Sequence, residues 1–274
     1  MPRIDAAGFA ASRPTHALLD VRDSASFALG HLAGSGHIPF AELRERRAEL
    51  PPRGRALLVV ADHGDAAGAA AEAIAALGYA RVTWLDAPLV TVPDAALIAG
   101  EPERLWQPAP FLEEVLGLLP RGRSLDLAAG AGREAVFLAL HGFTVEAWDH
   151  DADVLVRAER LADRHGVAIL TNVVDLEAEG LALPAARFQL VTVFRFLQRR
   201  IFPQIEQALA PGGHLVYETF RRGQERFGRP KQARYLLADG ELARAFPSLE
   251  VLRYDELDGP AGPVLARLHA RRPA

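Results

Sequence analysis

Ser124-Leu125-Asp126-Leu127-Ala128-Ala129-Gly130-Ala131-Gly132-Arg133 decides the fold of the larger part of the chain. Leu125 and Leu127 are the apolar positions of a short strand, which runs straight into a series of small residues. Small side chains permit a sharp turn and let a bound group come close to the backbone. Glu134 opens a helical run to Leu140, so the free N–H groups of a helix start stand behind the turn. A second strand, Thr144-Val145-Glu146-Ala147-Trp148, ends on Asp149, with Trp148 sixteen residues beyond Gly132. A carboxylate accepts two hydroxyl protons, so an acid at that strand end suits a ribose diol. Strand, turn, helix, strand and acid together describe a nucleotide-type pocket. The glycines lack the G-x-G-x-x-G spacing of a pyrophosphate-binding turn, which argues against a nicotinamide dehydrogenase.

Working outward, Ala168–Val174 reads as a third strand followed by Asp175-Leu176, and Leu190–Phe194 as a fourth. Ala210-Pro211-Gly212-Gly213-His214 turns into a fifth, Leu215–Thr219. Helical runs at Glu134–Leu140, Ala152–Arg164 and Phe202–Leu209 alternate with them. This alternation predicts an α/β fold with a parallel sheet, helices on both faces, and a ligand beyond the carboxyl ends of the strands. An amphipathic helix, Pro110–Leu119, precedes the series, and Phe246–Asp255 and Val264–Ala270 form a last strand pair.

The series resembles the class I S-adenosylmethionine-dependent methyltransferases, in which an APGG turn before the fifth strand is common. Leu125–Arg133, His141-Gly142-Phe143, Val145–Asp149 and Asn172–Leu176 resemble the tellurite-resistance methyltransferase family more closely, best over residues 124 to 180. The resemblance implies a Rossmann-like seven-stranded methyltransferase domain. It also implies cofactor contacts from Asp126, Ala128, Gly130, Gly132, Arg133, Asp149, His150, Asp175, Leu176 and Phe194. Ala128 stands where the family often has its first glycine. Asp126 would orient the turn or accept from the methionine amino group, Asp149 would take the ribose hydroxyls, and Asp175 the adenine amino group. Asp175 also reads as an ordinary helix cap. Asp149, His150 and Asp151 are sequence neighbours, which rarely converge on one ion, so no metal is expected.

For catalysis the candidates are Arg195 after the fourth strand, Tyr217 and Glu218 on the fifth, and Arg222 and Arg229 beyond it. Arg221, Arg222, Arg226, Arg229, Lys231 and Arg234 face only Glu225 in their stretch. They read either as a clamp for an oxyanion, carboxylate or phosphate, or as a solvated loop. Tyr235 and Phe227 are candidates to wall the acceptor pocket.

The first part of the chain carries Leu18-Leu19-Asp20-Val21-Arg22, then Gly30-His31-Leu32-Ala33-Gly34-Ser35-Gly36-His37-Ile38-Pro39, Leu57–Val60 and Val82-Thr83-Trp84-Leu85. Phe40–Leu50 is expected to be helical, Ser24 to cap a helical turn, and Asp20 and Arg22 to pair. These motifs, at their spacing, resemble a rhodanese-like α/β domain. The family's catalytic cysteine corresponds to Ala61, three residues before Gly64, and a methyl group carries no persulfide. Sulfur transfer is therefore not expected. Asp62, His63 and Asp65 read either as a new site or as a degenerate loop capped by its own acids.

Five prolines between Ala87 and Pro110 mark a junction. The expected domains are 1–95, a linker at 96–109, and 110–274, with a short helix expected at Asp94–Ala99 within the junction. Half of the 274 residues are hydrophobic, enough for sizeable cores, and the net charge of −4 offers no general attraction to nucleic acid or anionic membranes. The chain has no cysteine, which removes disulfides and thiolate chemistry, and no membrane-length apolar run or signal core, which points to the cytoplasm. Three functions stay open: methyl transfer to a small, anionic acceptor such as tellurite, selenite or a thiol; methyl transfer to RNA or protein, with the first domain docking the partner; and a non-enzymatic, cofactor-binding sensor.

Overall fold

The apolar strands read from the sequence form the spine of two sheets. A computed structural model describes residues 1–92 and 96–274 and divides into two compact units, Met1–Gln107 and Pro108–Ala274.

The first unit runs β1 (Arg3–Ile4), α1 (Ala6–Ser12), β2 (Ala17–Asp20), α2 (Ser24–Leu29), β3 (His31–Leu32), β4 (Ser35–His37), β5 (Leu57–Val60), α3 (Gly64–Ala76), β6 (Val82–Leu85) and β7 (Leu97–Ile98). Among the described residues its main sheet has the order β1-β6-β5-β2-β4, with parallel pairing throughout. β5 is buried on both faces, as a central parallel strand must be. Leu57 and Val59 pack with Ala67, Ala70, Ala71 and Ile74 of α3, while Leu58 and Val60 pack with Phe9 on the opposite face. Asp20 and Arg22 form the expected pair, buried, with Arg22 Nη2 2.7 Å from Asp20 Oδ2 and also donating to the Gly30 carbonyl.

Three local expectations change. Phe40–Leu50 is not one helix but two 3-10 turns, Phe40–Glu42 and Arg47–Glu49. Arg46 bonds Glu42, Glu49 and the His37 carbonyl, stabilising an irregular path that a helix would break. Asp23, not Ser24, caps α2, because its carboxylate accepts from the Ala25 and Ser26 N–H groups. Of the helix expected at Asp94–Ala99, Asp94 and Ala95 lie outside the described residues, and Leu97–Ile98 is a strand paired antiparallel with β3. Residues 96–107 thus belong to the first unit.

The second unit runs α4 (Pro110–Val115), β8 (Arg123–Leu127), α5 (Arg133–Leu140), β9 (Thr144–Asp149), α6 (Ala152–Arg164), β10 (Leu170–Val173), β11 (Phe188–Phe194), α7 (Phe202–Ala208), β12 (Leu209–Phe220), α8 (Glu241–Arg244), β13 (Glu250–Asp258) and β14 (Val264–Arg271). The expected helix 110–119 ends early as α4 and tightens into a 3-10 turn at Leu116–Leu118, across Gly117. Among the described residues the sheet is seven-stranded, in the order β10-β9-β8-β11-β12-β14-β13, and β14 is antiparallel to both neighbours. The chain moves outward from β8 to β10 and then returns to add β11 on the other side of β8. This reversal opens a crevice beyond the carboxyl ends of β8 and β11. One core, with Leu125, Leu127, Val191, Val193, Leu215 and Tyr217, holds the strands in place beneath it. Among the described residues no helix is long and apolar enough to cross a membrane.

Candidate functional site

The crevice begins where β8 ends. Ala128, Gly130 and Gly132 all take left-handed backbone conformations, with φ of 57°, 54° and 78°. Glycine is unstrained there; Ala128, which directly follows β8, packs partly buried against the core. Gly132 caps α5 and is also demanded by packing, because a Cβ there would sit 2.5 Å from the Cβ of Ala158 on α6. Around Gly130 a Cβ would meet nothing, so that glycine serves the turn and leaves its outer face open.

Asp149 reaches back over this turn from the end of β9. Its Oδ2 accepts the Gly130 N–H at 2.9 Å, and its Oδ1 accepts the Asp151 N–H at 3.1 Å. His150 Nδ1 lies 3.1 Å from the same Oδ1. The backbone bonds fix the carboxylate without exhausting its lone pairs, which remain to accept hydroxyl protons. Beside it opens a pocket of about 660 Å³ lined by Ala128, Asp149, His150, Val174, Asp175, Leu176, Glu177, Phe196 and Tyr235. One Asp175 oxygen accepts the Glu177 N–H at 2.8 Å, which combines the turn-capping role with a place on the pocket wall.

The other cofactor candidates divide. Asp126 is buried on β8 opposite Thr192 of β11, whose hydroxyl donates to its Oδ1 at 2.8 Å. Burial, with Glu134 nearby, raises its pKa well above the carboxylate range. Arg133 begins α5, and Phe194 ends β11 as a buried side chain; neither lines the pocket. The next-but-one residue, Phe196, does line it. The sequence reading missed Phe196, Val174 and Glu177, although an i, i+2 step from Phe194 points to the first. Of the two aromatic walls expected, Tyr235 lines the pocket and Phe227 is outside it.

The catalytic candidates are placed very differently. Tyr217 is fully buried, and its hydroxyl donates to the Phe196 carbonyl at 3.0 Å. Burial raises its pKa, so it holds the wall rather than exchanging a proton. Glu218 is fully buried on β12 and contacts Arg195 and Arg267. Arg222 and Arg229 are exposed and, with Lys231, make no ion pair among the described residues. Two neighbours do: Arg221 meets Asp239 at 3.1 Å and Arg226 meets Asp258 at 2.9 Å; Arg234 instead stacks on the Tyr235 ring. Arg199 bonds the carbonyls of Arg234 and Leu236 at 2.7 and 2.9 Å, which fixes the loop that carries Tyr235.

In the first unit, Ala61 directly follows β5 with 3 % of its surface exposed. Asp62 stands 3.9 Å from Arg22. Gly64, the first residue of α3, is pressed by Asp86: a Cβ there would lie 2.5 Å from Asp86 Oδ1. The Asp86 carboxylate pairs in turn with Arg3 at 3.1 Å.

Residues 111–260, more than half of the chain, match the family model of the tellurite resistance protein TehB. The chain belongs to the TehB family. TehB proteins are S-adenosylmethionine-dependent methyltransferases, so membership gives S-adenosylmethionine as the cofactor. Residues 7–87 match the rhodanese-like domain, here without its cysteine. A probable S-adenosylmethionine-dependent methyltransferase TehB from Haemophilus influenzae is 26 % identical over 48 % of this chain and 47 % of its own length, so the chain spans about half of that TehB relative. An uncharacterised protein of Schizosaccharomyces pombe is 24 % identical over 82 % of this chain and 83 % of its own length, a match long enough to include both units. The crystal structure of Haemophilus influenzae TehB aligns over 60 % of this chain and 62 % of that one, with a TM-score of 0.50 and 19 % identity, which is a likeness of fold.

Proposed function

We propose that the second unit transfers a methyl group from S-adenosylmethionine to a small anionic acceptor, for which tellurite, selenite and small thiols are the test compounds. The observation that carries this is Asp149, fixed by the Gly130 and Asp151 N–H groups with lone pairs left over, at the edge of a pocket sized for a nucleoside. When bound, the cofactor supplies an electrophilic methyl carbon: the acceptor's electron pair forms the new bond as the carbon–sulfur bond breaks and its pair returns to sulfur. Asp149 takes the ribose hydroxyls, Asp175 and the Leu176 backbone face the adenine, and Phe196 and Tyr235 keep water out. Soft nucleophiles need no base, so positioning and exclusion of water can carry the rate.

The first unit serves docking or regulation in this reading, and the protein works in the cytoplasm. A second reading has some support. Arg222, Arg229 and Lys231 are exposed and unpaired among the described residues, next to the exposed ring of Phe227, a combination that also suits RNA. Calorimetric titration with S-adenosylmethionine tests the shared premise, and absence of binding at micromolar levels ends both readings. Turnover with tellurite, selenite, thiols or bulk RNA separates them; binding without turnover on any acceptor leaves a sensor.

A further inference from the structure

The carboxyl end of β11 carries a device that neither the pocket nor the family assignment explains. Arg195 follows Phe194 there, beside the strand that feeds the glycine turn. Its φ is +60°, a conformation that strains an L side chain, and its N–H donates to the Glu218 carbonyl at 2.8 Å. The guanidinium lies 4.8 Å over the Phe220 ring with Nη2 3.0 Å from Glu218 Oε1, and 38 % of the side chain remains exposed.

Glu218 is shared. Its other oxygen, Oε2, accepts from Arg267 Nε at 2.7 Å, and Arg267 has Glu114 as a second partner at 3.5 Å. Glu114 continues outward to Arg253 at 2.9 Å. The alternating chain of charges therefore ends on Arg195, whose guanidinium meets Glu218 Oε1 as an ion pair without an aligned hydrogen bond, and which has no second carboxylate within ion-pair distance and no side-chain hydrogen-bond partner among the described residues. Desolvation works against its charge; Glu218 and Glu134 support it, and Arg267 and Arg133 add repulsion. A cation that is oriented, partly dehydrated and only half satisfied is what a small oxyanion needs from an arginine fork. Arg222, Arg229 and Lys231 have no such support.

Resting on the methyl-transfer reading, we propose that Arg195 receives the acceptor's negative charge and that Glu218 is the positioning residue that holds its guanidinium at the crevice. The test uses the full chain saturated with S-adenosylhomocysteine, into which tellurite and then selenite are titrated by calorimetry. Tellurite turnover is followed in parallel. The expected result is oxyanion binding that Arg195→Ala weakens at least tenfold and Arg195→Lys partly restores, with cofactor affinity unchanged within about twofold. In turnover the loss should appear in KM for tellurite. Glu218→Gln should weaken oxyanion binding in the wild-type background and have little further effect in the Arg195→Ala background. The proposal is overturned if neither oxyanion binds the loaded wild type, if Arg195→Ala leaves their binding within twofold, or if that variant loses cofactor affinity instead. It is also overturned if the Glu218→Gln effect adds in full to that of Arg195→Ala. If Glu218→Gln does not fold, the two Arg195 variants decide alone. Failure of the wild type to bind cofactor at all would instead strike the methyl-transfer reading beneath.

Discussion

The two strand–turn–helix junctions, β5 into α3 and β8 into α5, begin from one construction and end differently. In each, the strand next in sequence ends beside an acid: Asp86 after β6 and Asp149 at the end of β9. Asp86 lies flush against Gly64, the first residue of its helix, and turns to Arg3. Asp149 reaches instead to the middle of its turn, to the Gly130 N–H, and leaves a pocket of about 660 Å³ beside itself. The first junction also carries Asp62 in its turn and Asp65 in the first turn of α3, while the second keeps its turn free of charge until Arg133 opens α5. A helix start thus stays open beside a pocket when the neighbouring acid stops short of it, and closes when the acid fills the gap.

The largest effect should come from the two acids. Asp149→Ala should weaken S-adenosylmethionine binding on the order of 100-fold or more, since two charge-assisted hydrogen bonds at about 1.5–3 kcal/mol each are lost. Asp86→Ala should leave it within twofold. Calorimetry on both variants checks this, and equal effects would dissolve the contrast.

Acid should also tell the units apart. His214 Nδ1 lies 2.8 Å from His269 Nε2 in the second unit. Desolvation lowers both pKa values, with the His214 charge adding to it for His269, which falls to about 4. The unfolded chain then takes up a proton near its ordinary pKa that the folded pair refuses. Stability is complete above about pH 6.5 and declines as pH falls toward 4, by up to about 3 kcal/mol. Hydrogen exchange at pH 7.5 and 5 should show the second unit loosening more than the first, and His269→Gln should flatten that dependence.

Next come the glycines. Gly132→Ala should destabilise by about 2 kcal/mol, from its left-handed φ together with the contact on Ala158. Gly64→Ala, where φ is not positive and Asp86 can shift, should cost about 1 kcal/mol in the same urea denaturation. The smallest effect is expected from Ala61→Cys. Wild type should show no thiosulfate sulfurtransferase activity, and restoring the sulfur alone should add none, because Asp62 and Asp65 repel the anionic donor. A clear gain would show that the first junction is closed only by its missing atom.

Much of this was legible in the sequence because it is local. Leu125 to Arg133 and the spacing to Asp149 announce strand, turn, helix and acid within one βα unit. Rhodanese-like motifs did the same for the first unit, including Ala61. What stayed hidden depends on partners distant in sequence. Arg46 holds Phe40–Leu50 away from a helix through Glu42, Glu49 and His37. Tyr217 and Glu218 are adjacent on β12, yet one side chain enters the core beneath Phe196 and the other meets Arg267 from β14, which only the sheet order reveals. The His214–His269 pair likewise needs the antiparallel register of β12 and β14.

Arg199 has a consequence for how such a protein can diversify. By gripping the carbonyls of Arg234 and Leu236, it pins a long connection near its centre and leaves two modest spans on either side of the pin. Closure entropy grows only slowly with span length. Insertions in the stretch that holds Arg222, Arg229 and Lys231 can therefore reshape that span while Tyr235 stays put on the pocket wall; under the proposed methyl transfer, preference among acceptors can then drift without disturbing the grip on the donor.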